Sequence, residues 1–158
     1  MSREKNFQET LFLIRRNQVL TQMLDEAAAA YLGVNGTDAR AIDVIDQHGR
    51  ITAGELAREL RLSTGAVTSV VDRLERGGFA RRVRDDEDRR RVLIETTPIV
   101  AELSAAIYGT PQEAFELYSD WSDEEAETIL RFQRLSREWL EERLARIEKL
   151  TAERGKSP

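Results

Sequence analysis

Residues 51–97, ITAGELARELRLSTGAVTSVVDRLERGGFARRVRDDEDRRRVLIETT, contain the pattern that decides the fold of this chain. Thr52 and Glu55 form a T-x-x-E capping box, which predicts a helix that begins there, and Ser63 is a good N-cap for a second helix. The glycine pair at 77–78 ends that second helix, because glycine tolerates the left-handed conformation that often follows a helix. A short helix, a turn and a second helix are therefore expected.

The second helix has two different faces. Apolar residues recur at i, i+3, i+4 and i+7, which predicts a buried stripe made of Val67, Val70, Val71 and Leu74. The opposite face is small and hydrogen-bonding near its start and has a cation further along; it consists of Thr64, Gly65, Thr68, Ser69 and Arg73. Such a face suits a DNA major groove, because bulky groups would keep the backbone away from the base edges. The alternative is an ordinary solvated helix surface.

A charged hairpin follows the second helix. Residues 79–84 and 91–97 predict two antiparallel strands, and residues 85–90 (DDEDRR) form the tip between them. Adjacent arginines at such a tip suit a narrow, electronegative minor groove, and Asp88 is expected to orient Arg90 or a strand arginine through a charge-assisted hydrogen bond. The alternative is a solvated hairpin of mixed charge. Two helices followed by this hairpin predict a winged helix-turn-helix.

The run from Leu62 to Thr97 resembles the winged helix of the MarR family of transcriptional regulators. The motifs that support the resemblance are L-S-x-G-A-V-T at the start of the second helix, D-R-L-E-x-x-G at its end, and D-x-R at Asp88 and Arg90. The likeness covers roughly residues 50–97, whereas the flanking helices match in order and length only.

This resemblance implies a sequence-specific DNA-binding regulator, more often a repressor than an activator, that acts as an obligate homodimer on double-stranded DNA. It also implies a small aromatic or anionic effector in many relatives. On the recognition helix the resemblance places Ser63, Thr64, Gly65, Thr68, Ser69 and Arg73. On the wing it places Asp88 and Arg90, with Arg90 as the minor-groove arginine, and the adjacent Arg89 is a further candidate DNA contact of the wing. Many relatives have proline where this chain has Thr64.

Charge is distributed unevenly along the 158 residues, whose net charge is −5. Residues 50–91 hold 11 arginines against 8 acidic residues, and the remainder holds 13 basic against 21 acidic residues. A basic segment of +3 on an acidic body of −8 is expected of a site-specific DNA binder, because the body repels phosphates elsewhere.

Several other classes of protein are disfavoured. No apolar run is long enough to span a membrane, and MSREKNFQE lacks the apolar core of a signal peptide, so a cytoplasmic protein is expected. With one histidine and no cysteine, most nucleophile–base pairs and metal clusters are missing. The carboxylates at 85–88 lack the spacing and the glycine of a calcium loop. We therefore expect no enzyme, no metal and no cofactor.

The flanks predict long amphipathic helices at 7–32 and 122–153, a helix capped by Thr37, a short strand at 50–51 and a helix that begins at Pro98. The expected fold class is mainly α with a small β-wing, namely a winged helix-turn-helix flanked by N- and C-terminal dimerisation helices.

The long flanking helices predict a homodimer. A small winged helix cannot cover both apolar stripes, whereas a second copy can, and a two-fold dimer presents two recognition helices to a pseudo-palindrome. Residues 1–36 and 98–158 are the predicted dimerisation region and residues 37–97 the DNA-binding region of one intertwined domain. The alternative is that the helices pack only within one chain.

In similar proteins the effector binds between the helical body and the winged helix, so the resemblance implies an effector site at that junction. The polar candidates near it are Arg15, Arg16, Tyr31 and His48. Each also suits a structural role: arginines solvated or paired at a dimer interface, a core tyrosine, and a histidine favoured at a helix C-terminus. The competing function is a helical protein-interaction module or adaptor that uses a winged helix without binding DNA.

Overall fold

A computed structural model describes residues 2–154 of the chain. Met1 and residues 155–158, which belong to the predicted dimerisation region, lie outside the described residues. The elements follow in the order α1 (Arg3–Leu32), α2 (Gly36–His48), β1 (Arg50–Thr52), α3 (Ala53–Leu60), α4 (Thr64–Arg76), β2 (Ala80–Arg84), β3 (Val92–Thr96), α5 (Pro98–Tyr108), α6 (Pro111–Glu116) and α7 (Asp123–Arg154). The predicted fold class, mainly helical with a small β-wing, is confirmed.

Local capping signals fix α3 and α4 as predicted. Thr52 Oγ1 accepts from the Glu55 backbone N–H at 3.2 Å, and Glu55 Oε2 accepts from the Thr52 backbone N–H at 2.9 Å. Ser63 Oγ accepts from the Ala66 N–H at 3.3 Å, and Gly78 takes the left-handed conformation (φ 78°) after α4. Thr52 is also the last residue of β1, so strand and helix meet without a linker.

The start of α2 differs from the prediction. Asn35, and not Thr37, caps this helix: its Oδ1 accepts from the backbone N–H groups of Thr37 and Asp38, both at 3.0 Å. Asparagine is a strong N-cap, and its position two residues earlier lets the helix include Gly36. Left-handed Gly33 (φ 69°) alone therefore ends α1.

The three strands form an antiparallel sheet in the order β1-β3-β2. Ile51 of β1 lies opposite Ile94 of β3, and Val83 of β2 lies opposite Leu93. The predicted short strand at 50–51 is confirmed as part of β1, and it pairs with β3 of the hairpin. Because β3 is central, the wing is joined through it to the strand that leads into α3.

The core lies beneath α4, the second helix of the predicted helix-turn-helix. Val67, Val70, Val71 and Leu74 are at most 3% exposed, so the predicted stripe of α4 is confirmed. They belong to one buried cluster with residues of α2, β1, α3 and β3, which include Ala41, Ile42, Ile45, Ile51, Leu56 and Ile94. Burial of branched side chains in this way supplies most of the stabilisation of a small domain.

Two compact units make up the chain, residues 1–110 and residues 111–158. In the second unit, the described residues of α7 include none that is buried. Its exposed large apolar residues are Ile129, Leu130, Phe132, Leu135, Trp139, Leu140, Leu144, Ile147 and Leu150. In the first unit, α1 buries only Ala28 and Ala29 and exposes Phe7, Leu11, Phe12, Leu13, Val19, Leu20, Met23, Leu24 and Tyr31. No helix in residues 2–154 is long and apolar enough to cross a membrane.

Candidate nucleic-acid interface

Four of the predicted recognition residues form one exposed surface, which we call the α4 face: Thr64, Gly65, Thr68 and Ser69. The Thr68 hydroxyl donates to the Thr64 carbonyl at 3.0 Å, and the Ser69 hydroxyl donates to the Gly65 carbonyl at 3.2 Å. Their oxygen lone pairs remain able to accept. A Cβ at Gly65 would have no neighbour within 4 Å, so a side chain there would project from the surface. The glycine therefore leaves the helix backbone accessible at this point. Ser63, also exposed, caps the same end of the helix.

Arg73, the remaining predicted recognition residue, is bound to another part of the protein. Its Nε donates to Asp38 Oδ2 at 2.8 Å and its Nη2 donates to Asp38 Oδ1 at 2.7 Å. The Asp38 side chain is 4% exposed, whereas that of Arg73 is 41% exposed. The hydrogen bonds to Asp38 raise the pKa of Arg73. The bidentate pair therefore joins α4 to the first turn of α2.

Acidic residues fold the tip of the wing. Asp85 Oδ1 accepts from the backbone N–H of Glu87 at 2.9 Å and of Asp88 at 3.4 Å, and the bond from Glu87 holds the pKa of Asp85 below its usual range. Asp88 Oδ1 in turn accepts from the backbone N–H of Arg90 at 3.0 Å. The predicted link from Asp88 to Arg90 thus runs through the backbone of Arg90 and not its guanidinium.

The arginines of the sheet and wing fall into two groups. Four arginines pair with carboxylates: Arg50 with Asp86 and Glu95, Arg81 with Glu95, Arg82 with Asp72 and Glu75, and Arg91 with Asp85. A second group, Arg84, Arg89 and Arg90, has no carboxylate within 4.0 Å in the described part of the chain, and all three are exposed. Arg89 and Arg90 were predicted as wing contacts. Arg84 was missed, although its position at the end of the first hairpin strand was visible in the sequence.

Glu95 binds two of the paired arginines and was also missed. It lies in β3 directly between Arg50 of β1 and Arg81 of β2, and its carboxylate accepts from Arg50 Nε at 2.7 Å and from Arg81 Nε at 2.8 Å. The hydrogen bond from Arg81, followed by that from Arg50, holds the pKa of Glu95 below its usual range. The signal was a single acid in the strand VLIET, directly after its three apolar residues.

A cleft of about 650 Å³ opens between α1, α2 and α5 within the first unit. Its polar lining includes Asp25, Asp43, Arg40 and Tyr108, and the Tyr108 hydroxyl donates to Asp25 Oδ1 at 3.4 Å. Burial raises the pKa of Asp43, and the neighbouring carboxylates of Asp25 and Asp46 raise it further.

The four predicted effector residues do not line this cleft. Arg15 and Arg16 are exposed on α1, and Tyr31 is 68% exposed, so it is not a core residue of the single chain. His48 ends α2, as expected, with Nε2 at 3.9 Å from Glu59 Oε1. Sequence spacing placed these residues near the junction without showing which way their side chains point.

Comparison with known proteins settles the family. A model described as MarR family matches residues 32–91. The helix-turn-helix-type transcriptional regulator YcgE of Bacillus subtilis (strain 168) is 36% identical over 138 residues, which cover 85% of this chain and 88% of YcgE. The chain belongs to the MarR family.

MarR-family membership makes the chain a transcriptional regulator and confirms that it is not an enzyme. The transcriptional repressor YetL of Bacillus subtilis (strain 168) is 31% identical over 93 residues, which cover 55% of this chain and 56% of YetL. The crystal structure of Streptococcus pneumoniae FabT in complex with DNA has a TM-score of 0.57 at 22% identity and covers 88% of this chain and 98% of FabT. The predicted MarR-type fold is thereby confirmed.

Proposed function

We propose that this MarR-family regulator binds a pseudo-palindromic operator as a homodimer and acts as a repressor. The observation that carries the proposal is one winged helix that presents both an unobstructed α4 face and a group of wing arginines with no acidic partner among residues 2–154. A recognition helix suits the major groove and a basic wing suits the minor groove. The relatives support the proposal, because FabT was crystallised with DNA and YetL is named a repressor.

Each part of the interface has its own role in this proposal. Ser63, Thr64, Thr68 and Ser69 contact bases or phosphates, and Gly65 permits close approach. Arg90 enters the minor groove, where a narrow A·T-rich groove concentrates negative potential. Arg84 and Arg89 neutralise backbone phosphates, and Asp88 shapes the tip that presents them.

Dimerisation follows from the exposed apolar residues of α1 and α7. These two long helices expose more apolar surface than an isolated chain normally leaves in contact with water. A second copy would cover them and would set two recognition helices about one DNA turn, roughly 34 Å, apart. In this proposal residues 1–36 and 98–158 pair, and residues 37–97 bind DNA.

A small-molecule effector would bind in the cleft between α1, α2 and α5, and its binding would release the protein from the operator. A ligand there shifts the protein away from DNA only if it binds the DNA-incompetent state more tightly. The acidic lining favours a neutral or cationic ligand and not the anion predicted from the sequence. Arg40, on the same wall, is a positive charge that could bind an acidic group of the ligand. Because a regulator acts where the chromosome lies, we place the protein in the cytoplasm.

Fluorescence anisotropy across a salt series, on duplexes from the region upstream of its own gene, tests the proposal. We expect tight binding to one pseudo-palindromic duplex, weak binding to scrambled DNA, and a steep loss of affinity with salt. Absence of binding even at low salt would instead support a protein-interaction module.

A further inference from the structure

The carboxylate of Asp38 is the most enclosed charge in the described winged helix. Besides its two bonds from Arg73, Asp38 Oδ2 accepts from Asn35 Nδ2 at 2.9 Å. The same Asn35 side chain caps α2 through Oδ1. A planar guanidinium held by both carboxylate oxygens fixes direction as well as distance, which a lysine ammonium would not do.

The position of this contact gives it influence over the α4 face. Arg73 lies nine residues after Thr64, so the two ends are about 13 Å apart along the helix axis. A tilt of about 10° at Arg73 would therefore move the Thr64 end by roughly 2 Å, which is more than a base contact tolerates. A contact far from DNA can thus decide whether hydroxyls reach base edges.

We infer that Asp38 and Arg73 are positioning residues that set the angle of the recognition helix, and that Arg73 does not itself contact DNA. This inference rests on the proposed DNA-binding function. Asn35 belongs to the same arrangement and also lines the cleft between α1, α2 and α5. Hydrogen bonds from Arg73 to Asp38 and from Asn35 to Asp38 therefore connect α4 to a wall of that cleft.

The two roles of Arg73 predict opposite signs for Asp38→Asn. If Arg73 bound DNA, the loss of the carboxylate charge would free its guanidinium and raise affinity. In the positioning role, affinity for the operator falls about tenfold, the worth of one well-made base contact, while affinity for scrambled DNA does not fall. Glu102→Gln is the matched control, because it removes the same charge from an exposed position on α5 outside the cleft lining.

Arg73→Lys completes the test, since it keeps the charge and loses the two-point geometry. We expect the same loss of specificity as for Asp38→Asn, little further loss in the double variant, and an unchanged salt slope. A misfolded fraction would lower the active concentration for both duplexes equally, so the ratio of the two affinities separates positioning from simple instability. Should Asp38→Asn fail to fold, Asn35→Ser keeps a capping oxygen and removes only the amide donor, and a smaller loss of specificity is expected.

Tighter operator binding by Asp38→Asn than by Glu102→Gln would overturn the inference, as would an unchanged specificity ratio. A decrease of about one unit in the salt slope per protomer for Arg73→Ala would also overturn it, because that is the effect of a lost phosphate contact. If wild-type protein showed no preference for any operator, the proposed function itself would have failed.

Discussion

Replacing Arg90 with glutamine tests whether the unpaired wing arginines are the ones that meet DNA. Arg90 has no carboxylate within 4.0 Å in the described residues, and Asp88 anchors its backbone N–H at 3.0 Å. No protein ion pair has to break before its guanidinium binds. The matched variant is Arg81→Gln, which removes the same charge from the same hairpin, where Arg81 Nη2 lies 2.6 Å from Glu95 Oε1.

The expected magnitude comes from counterion release. An arginine in the minor groove lies between two phosphate backbones and releases counterions as a phosphate contact does. Each neutralised charge on B-DNA contributes about 0.9 to the slope of log affinity against log salt, so a dimer that loses both copies of Arg90 loses about 1.8. On the operator, loss of one specific arginine costs about 1–3 kcal/mol. Arg81→Gln should reduce affinity only through the weaker long-range effect of net charge, because its guanidinium already has a partner.

Fluorescence anisotropy on the operator duplex, from about 50 to 200 mM salt, measures both quantities. A slope for Arg90→Gln equal to that for Arg81→Gln would refute the division of the arginines into paired and unpaired groups. A larger change for Arg81 would reverse it. Thermal unfolding of both variants checks that neither result arises from a damaged sheet.

Three further outcomes are expected. Because the folded-state pKa of Glu95 is depressed by the arginines on either side, the stability it contributes is present above its ordinary value of 4.5 and is lost as pH falls through the lower folded value; Glu95→Gln should flatten this acid dependence in denaturant titrations. Leu74→Ala, at a 1% exposed core position, should cost about 2–5 kcal/mol in the same assay, whereas Val92→Ala, 51% exposed, should cost far less. Leu140→Glu on the exposed face of α7 should convert a dimer into a species of 18.1 kDa by sedimentation, and a wild-type chain that already sediments at 18.1 kDa would refute dimerisation.

Local signals predicted the parts of the fold that depend on local physics. The capping box at Thr52, the N-cap at Ser63 and the apolar stripe of α4 each involve residues within two helical turns of one another, and all three are confirmed. The predicted start of α2 was two residues too late. Asn35 and Thr37 are both good capping residues, and the sequence alone does not show which of the two the helix uses.

Partners distant in sequence were not predicted. Asp38 and Arg73 are 35 residues apart, and their contact depends on how α2 packs against α4. Glu95 joins Arg50 and Arg81 only through the strand order β1-β3-β2, which a hairpin pattern does not specify. The sequence thus located the basic segment correctly but could not show which arginines were already paired.

Thr52 has a consequence for the operator itself. Because Thr52 both ends β1 and caps α3, no linker separates the sheet that carries the wing from the helix that leads to α4. We expect this junction to restrict movement of the wing relative to the α4 face. The protein then fixes the length of DNA between the minor-groove contact of the wing and the major-groove contact of α4. One inserted base pair would displace one contact by about 3.4 Å and rotate it by roughly a tenth of a turn. We therefore expect functional half-sites to vary in their bases but to keep a constant internal length.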